Sequence, residues 1–167
     1  RTYLQRNGQT TYVLQPVGEV VEKPTRAAAV AENPVRLLHL SNGLRVLVKE
    51  DHRLPFVEFR AAFLGGLLAE TPAESGLTAL MAKVQVKGTA HRNAEEIAAA
   101  IEDVGGSLEP YADNNSFGVS AEVLAEDFST GLDLLADVIR NPSWPAEVLE
   151  RERTIQLAGI KGQRDQL

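Results

Sequence analysis

A chain of 167 residues, 44% hydrophobic and 24% charged, is long enough to bury a core without disulfide or metal staples. Its net charge of −6 is spread along the chain, which argues against nucleic acid or an anionic membrane surface as the main partner and suits a solvated surface. The absence of cysteine excludes disulfides, thiolate metal sites and a cysteine nucleophile, and no apolar run nears the roughly 18 residues of a membrane span.

The chain starts at Arg1 and its only methionine is Met81, so it is expected to be a piece of a larger protein whose targeting signal, if any, lies upstream. After an Asn7-Gly8 turn signal, Thr10 to Leu14 reads as a short strand. Residues 17 to 34 carry Pro24, Pro34 and scattered charges without a sustained period, which marks an exposed linker. A domain then starts at Val35. Leu37 to Leu40 and Leu44 to Val48 flank Ser41-Asn42-Gly43, a strong hairpin signal because Asn and Gly tolerate positive φ. Val57 to Phe63 alternates as a third strand, and Gly65-Gly66 opens a loop without a phosphate-binding helix behind it.

The stretch Ser75 to Thr89 organises the domain. Leu77, Leu80, Met81 and Val84 fall at i, i+3, i+4 and i+7, the spacing of one helical stripe, and Ser75 is placed to cap it. At roughly 100° per residue, Ala79, Ala82 and Lys83 fall on the other side, so they are expected to line a cleft or an exposed face. A second helix follows Asn93, with Glu96 completing a capping box, Ile97, Ile101 and Val104 on its apolar face, and Gly105-Gly106 ending it. Leu108 to Ala112 and Phe117 to Leu124 read as strands joined by Asp113-Asn114-Asn115-Ser116. A third helix is expected from about Asp127 to Arg140 with Phe128, Leu132, Leu135 and Ile139 on one stripe. A fourth starts near Pro145 and is expected to fray or bend at Gly159 and Gly162. Three strands, two helices, two strands and two helices suggest an α+β fold, an antiparallel or mixed sheet with helices mainly on one face.

No motif in these elements supplies chemistry. His91 precedes Glu95 and Glu96, but it sits in a polar turn where a solvated histidine is the plainer reading. His39 and His52 have no second ligand at useful spacing.

The frame of the central helix, Gly76-Leu77 ahead and Lys87-Gly88-Thr89 behind, resembles the insulinase, pitrilysin and mitochondrial processing peptidase family of zinc peptidases. Leu40-Ser41-Asn42-Gly43-Leu44, Gly105-Gly106, Asn141-Pro142 and Glu150-Arg151-Glu152-Arg153 match it in order and spacing, from Val35 to Leu167. The resemblance implies the processing-peptidase-like metallohydrolase fold, with 35–167 an N-terminal-type half that is incomplete at its C-terminus and 1–34 the end of a preceding unit plus linker. Active members carry His-x-x-Glu-His on this helix and a further glutamate ligand downstream. The matching positions here are Ala79, Ala82, Lys83 and Gly159, so the resemblance implies a vacated zinc site and no activity from this chain alone. It also implies a substrate-pairing edge strand at Leu108, Glu109, Pro110 and Tyr111, where proline removes a donor.

The implied role is a non-catalytic domain that closes a substrate chamber and supports a homologous catalytic half, a separate subunit or a repeat, which would carry the zinc and act on a polypeptide. Self-association of the piece, an assembly module without proteolysis, and a peptidase with rearranged ligands are the alternatives. The resemblance favours periplasm or an organelle over cytoplasm.

Overall fold

The computed structural model describes residues 34–164, and the expected strand at Thr10–Leu14 lies outside them. Two compact units divide the chain between Asp51 and His52. The first contains an antiparallel hairpin, β1 (Arg36–His39) and β2 (Arg45–Val48), with Leu37 opposite Leu47 and Leu38 opposite Val46. The turn falls where expected, but only Gly43 takes positive φ, at +86°; Asn42 serves through its side chain, whose Oδ1 accepts the Leu44 N–H at 3.1 Å.

The second unit pairs a three-stranded antiparallel sheet with four helices. Its elements are β3 (Phe56–Leu64), α1 (Leu77–Gln85), α2 (Ala94–Glu102), β4 (Ser107–Ala112), β5 (Ser116–Leu124), α3 (Phe128–Arg140) and α4 (Ala146–Arg164). The strand order β3-β5-β4 puts β5 in the centre. Phe59 and Leu108 both register with Ala121, and Ala61 and Pro110 with Val119. Successive side chains alternate between faces, so these residues share one face, and Val119, Ala121 and Val123 on it are no more than 1% exposed. Ile97, Leu135, Val138 and Val86 pack on Val119 and Ala121, while Ile101 and Leu134 pack on Val123. The sheet is therefore covered by helices on one face, the α+β arrangement the element order implied. The opposite face is polar, with the Arg60 guanidinium 4.3 Å from the centre of the Tyr111 ring. No helix among the described residues is long and apolar enough to cross a membrane.

Three expectations need correction. In α1, burial grades along the axis rather than round it. Leu77 in the first turn is 54% exposed and Leu80 and Met81 are half-buried, whereas Val84, Gln85 and Val86 at the far end are all buried. The cause is position: α1 packs on β4, β5 and α4, and only its C-terminal end is enclosed. Ala82, expected on a cleft face, is 2% exposed for the same reason.

In α3 the buried side is Gly131, Leu134, Leu135 and Val138, and Phe128 and Leu132 stay 47% and 43% exposed. The glycine sets this seat. A Cβ at Gly131 would stand 2.9 Å from Val123 Cγ2 and 3.2 Å from the Phe59 ring, so the helix comes nearest the sheet there. Finally, α4 runs through Gly159 and Gly162 without a break. A penalty of about 1 kcal/mol for each glycine is too small to end a long helix.

The Gly131 seat predicts the effect of filling it. Gly131→Val is expected to destabilise the unit by about 1–3 kcal/mol through overpacking, read as a lower urea midpoint with an unchanged denaturant slope. Wild-type stability in this variant would disprove the close approach.

Candidate functional site

The start of α1 is held from outside the helix. Gly76, not Ser75, occupies the N-cap, in the left-handed region at φ +93°. Its geometry admits no side chain, since a Cβ there would also stand 2.8 Å from Gln156 Nε2. Instead of a local cap, the Glu70 carboxylate accepts the Gly76 N–H at 2.6 Å and the Thr78 N–H at 2.7 Å. These bonds, that from Gly76 first and those from Thr78 after it, hold the Glu70 carboxyl below its ordinary pKa. Glu70 arrives there because two single 3-10 turns, Leu67–Ala69 and Pro72–Glu74, fold the connecting loop tightly. The loop is zipped to the β4–β5 turn by Leu67 N–H to Asp113 O at 3.2 Å and Leu68 N–H to Asn114 O at 2.8 Å. Gly66 permits the approach, because a Cβ on it would collide with Asp113 O.

Together these pieces bound a cleft of about 570 Å³ lined by Leu67, Glu70, Thr78, Ala79, Ala112 and the Asp113–Asn115 turn. Ala79 thus stands on the cleft wall. Lys83, one turn further, is half-buried, while Ala82 is turned into the interior. Helix α4 packs beside α1, and Gln156 Nε2 donates to Gly76 O at 2.9 Å. Among the described residues, Gln156 Oε1 is buried without a partner. Gly159, three residues on, is exposed, and a Cβ there would meet only open space.

Alanine and glycine offer no lone pair at these four positions, and lysine presents a cation, so the set does not fit a zinc ion. Among the described residues no three His, Cys, Asp or Glu side chains converge elsewhere.

The four edge-strand residues fall in β4, which borders the cleft through Ala112. Asp113 N–H donates to Ser116 O, and antiparallel ladders alternate bonded and non-bonded pairs. Counting back, Pro110 opposite Val119 falls at a non-bonded pair, so its nitrogen faces the free edge. Leu108 turns into the core, and Tyr111 lies on the opposite face with its hydroxyl donating to Ala61 O at 3.3 Å. Glu109 is exposed.

Sequence reasoning missed the most connected polar group. Asp137 on α3 is 6% exposed. Its Oδ2 accepts from Thr89 Oγ1 at 2.8 Å and Arg92 Nη1 at 2.6 Å, and its Oδ1 from Asn141 Nδ2 at 2.8 Å. His91 Nδ1 lies 3.0 Å from Oδ1 although most of that ring is exposed. His91 is therefore more than a solvated turn residue. Burial alone would raise the Asp137 carboxyl, but the bonds from Asn141, Thr89 and Arg92, aided by the charge of His91, outweigh it and the pKa is lowered. The available signal was an aspartate one turn from the end of a helix otherwise apolar on that side.

The family model for Insulinase (Peptidase family M16) matches residues 45–166. The mitochondrial-processing peptidase subunit beta of Blastocladiella emersonii is 26% identical over 122 residues, covering 73% of this chain and 26% of that protein. Subunit alpha from Neurospora crassa is 30% identical over 139 residues, covering 81% and 24%. Among solved structures, an inactive domain of peptidase M16 from Pseudomonas fluorescens superposes with a TM-score of 0.71 at 27% identity, covering 78% of this chain and 32% of that one. The chain thus spans about a quarter to a third of the length of these relatives.

The Asp137 network makes a pH prediction. A carboxyl with a folded pKa below its unfolded one adds stability that is fully present above the unfolded value of about 3.9 and is lost as pH falls through the folded value. Asp137→Asn is expected to lose on the order of 2–3 kcal/mol at neutral pH. That deficit should hold down to about pH 4 and shrink below it. Urea denaturation across a pH series measures it. A deficit that shrinks instead as pH rises to neutrality would rule the account out.

Proposed function

Because the chain belongs to the insulinase family of peptidases, family M16, we propose that it is a non-catalytic domain of such a zinc peptidase, closing the substrate chamber and supporting a homologous catalytic half. The observation that carries this reading is the residue set Ala79, Ala82, Lys83 and Gly159 on α1 and α4, where the family's motif calls for ligands and a general base. A metal-activated water needs both a ligand set and a group to take its proton, and these positions provide neither. Zinc, on this reading, sits in the partner half, and the assembly acts on a polypeptide.

Two further features agree with it. Helix α1 keeps its cap, its cleft and its packing while its chemistry is gone, as a support role would need. Pro110 withdraws a main-chain donor from the outer edge of β4, which weakens that edge as a template for an extended substrate. The likeness to a domain described as inactive points the same way, and relatives named as alpha and beta subunits suit a paired assembly. Within this proposal, residues 35–167 are the N-terminal-type half of a peptidase-like domain and 1–34 the end of a preceding unit with its linker.

The test has two arms. After equilibration with zinc and removal of free metal, the chain is expected to retain far less than one zinc per molecule and to leave an unfolded polypeptide uncleaved. Mixed with a catalytic half of the same family from its own source, it should form a defined complex and raise that half's peptidase activity. Stoichiometric zinc with cleavage by the chain alone would overturn the proposal, as would a catalytic half fully active and indifferent to it.

A further inference from the structure

The Asn42-Gly43 pair that turns the β1–β2 hairpin is also a reactive pair. An asparagine side-chain amide is open to attack by the main-chain nitrogen of the next residue, and glycine leaves that nitrogen unhindered because it has no Cβ. Among the described residues Asn42 is the one asparagine followed by glycine. Asn141 precedes proline, whose nitrogen carries no hydrogen to give up. Asn93, Asn114 and Asn115 precede residues with a Cβ, and the Asn93 side chain is committed to its capping box.

The fold occupies both reacting groups. Gly43 N–H donates to Leu40 O at 2.9 Å, and Asn42 Oδ1 accepts the Leu44 N–H at 3.1 Å. Gly43 at φ +86° and a further bond from Leu40 N–H to Leu44 O at 2.9 Å keep the turn in this state. Attack requires Gly43 N to give up its proton and Asn42 Cγ to swing onto it, which breaks the first two bonds. The reaction therefore belongs to the open hairpin. Opening is within reach, because a two-stranded hairpin by itself is only marginally stable. A step confined to the open state runs in proportion to the open population.

We propose that Asn42 is a site of self-modification gated by this hairpin, deamidating only when the turn opens. In the open chain Gly43 N bonds to Asn42 Cγ, the Cγ–Nδ2 bond breaks, and the Gly43 amide proton leaves with the side-chain nitrogen as ammonia. The cyclic imide then takes up water. Opening at Cγ gives aspartate, whereas opening at the main-chain carbonyl carbon gives isoaspartate, with the chain rerouted through the former side chain. The two products act oppositely on the turn. Aspartate keeps an oxygen in the place of Asn42 Oδ1, ready to accept the Leu44 N–H. Isoaspartate adds a methylene to the main chain, so the bonds from Gly43 to Leu40 and from Leu40 to Leu44 no longer close in the same register. Each such conversion makes one opening event permanent. This chemistry is independent of the proposed function.

Ageing of the whole chain at neutral pH, read by peptide mass spectrometry with fragmentation that separates aspartate from isoaspartate, tests it. The folded chain is expected to convert Asn42 slowly. Denaturing urea should speed the conversion by about the factor by which the Gly43 and Leu44 amides are protected from hydrogen exchange. Leu38→Gly with Val46→Gly, an opposed pair away from the reacting atoms, should raise the folded rate about tenfold by loosening the strands. Thermal melts check that the variant folds, and a urea series below the unfolding midpoint gives a second reading on the unaltered chain, where the rate should climb in step with amide exchange. Conversion as fast in the folded chain as in denaturing urea would overturn the proposal. So would a folded rate unmoved by both the double variant and the low-urea series, or a folded chain with no conversion at Asn42 over weeks.

Discussion

The attachment of the turn after α1 to α3 depends on one buried carboxylate. Asp137 leaves water only because four side chains from two places in the sequence replace it: Thr89, His91 and Arg92 from the turn after α1, and Asn141 from the end of its own helix. A buried charge that lost one of these partners would keep its desolvation penalty, so the carboxylate holds the turn to α3 tightly. Thr89 Oγ1 in turn accepts the N–H groups of His91 and Arg92 at 3.1 and 2.9 Å, giving the turn its shape. Gln85 completes the link, its Nε2 donating to Val138 O at 3.2 Å. The C-terminal end of α1 is thereby fastened to α3 and the core.

The other end of α1 is fastened by different means. Glu70 takes two of its free amides, and Gln156 of α4 takes the Gly76 carbonyl. A helix of nine residues is too short to stand alone in water. It persists here because both ends are bonded to other elements and its far end is enclosed. That explains how the helix stands with alanine at positions 79 and 82. Alanine is the best helix former, and neither Ala79 nor Ala82 contributes to the bonds at either end.

On the proposed reading, α1 and the β4 edge border the cleft while positions 79, 82, 83 and 159 carry no metal ligand. The scaffold and the chemistry are separable because they draw on different atoms. The scaffold uses main-chain groups, Glu70, Gln156 and Asp137. On the proposed reading, the chemistry of active relatives falls at positions 79, 82, 83 and 159.

Much of this was legible in the sequence. The Asn42-Gly43 hairpin, the Asn93–Glu96 capping box, the stop at Gly105 and the alternation of β3 and β5 are local signals, set by backbone φ preferences and by a period of two or 3.6. Absent ligands are legible too, because no packing can give alanine a lone pair. Only the tertiary structure decided which side of α3 is buried, since its apolar sector is wider than the core and the closest approach at Gly131 chooses within it. Only the tertiary structure showed that burial in α1 follows depth along the axis, which sinks Ala82 beside an exposed Leu77. The same holds for Asp137, three of whose partners lie more than forty residues upstream, and for the cap from Glu70. Periodicity describes one helix in isolation, whereas enclosure and long-range hydrogen bonds belong to the elements that meet it.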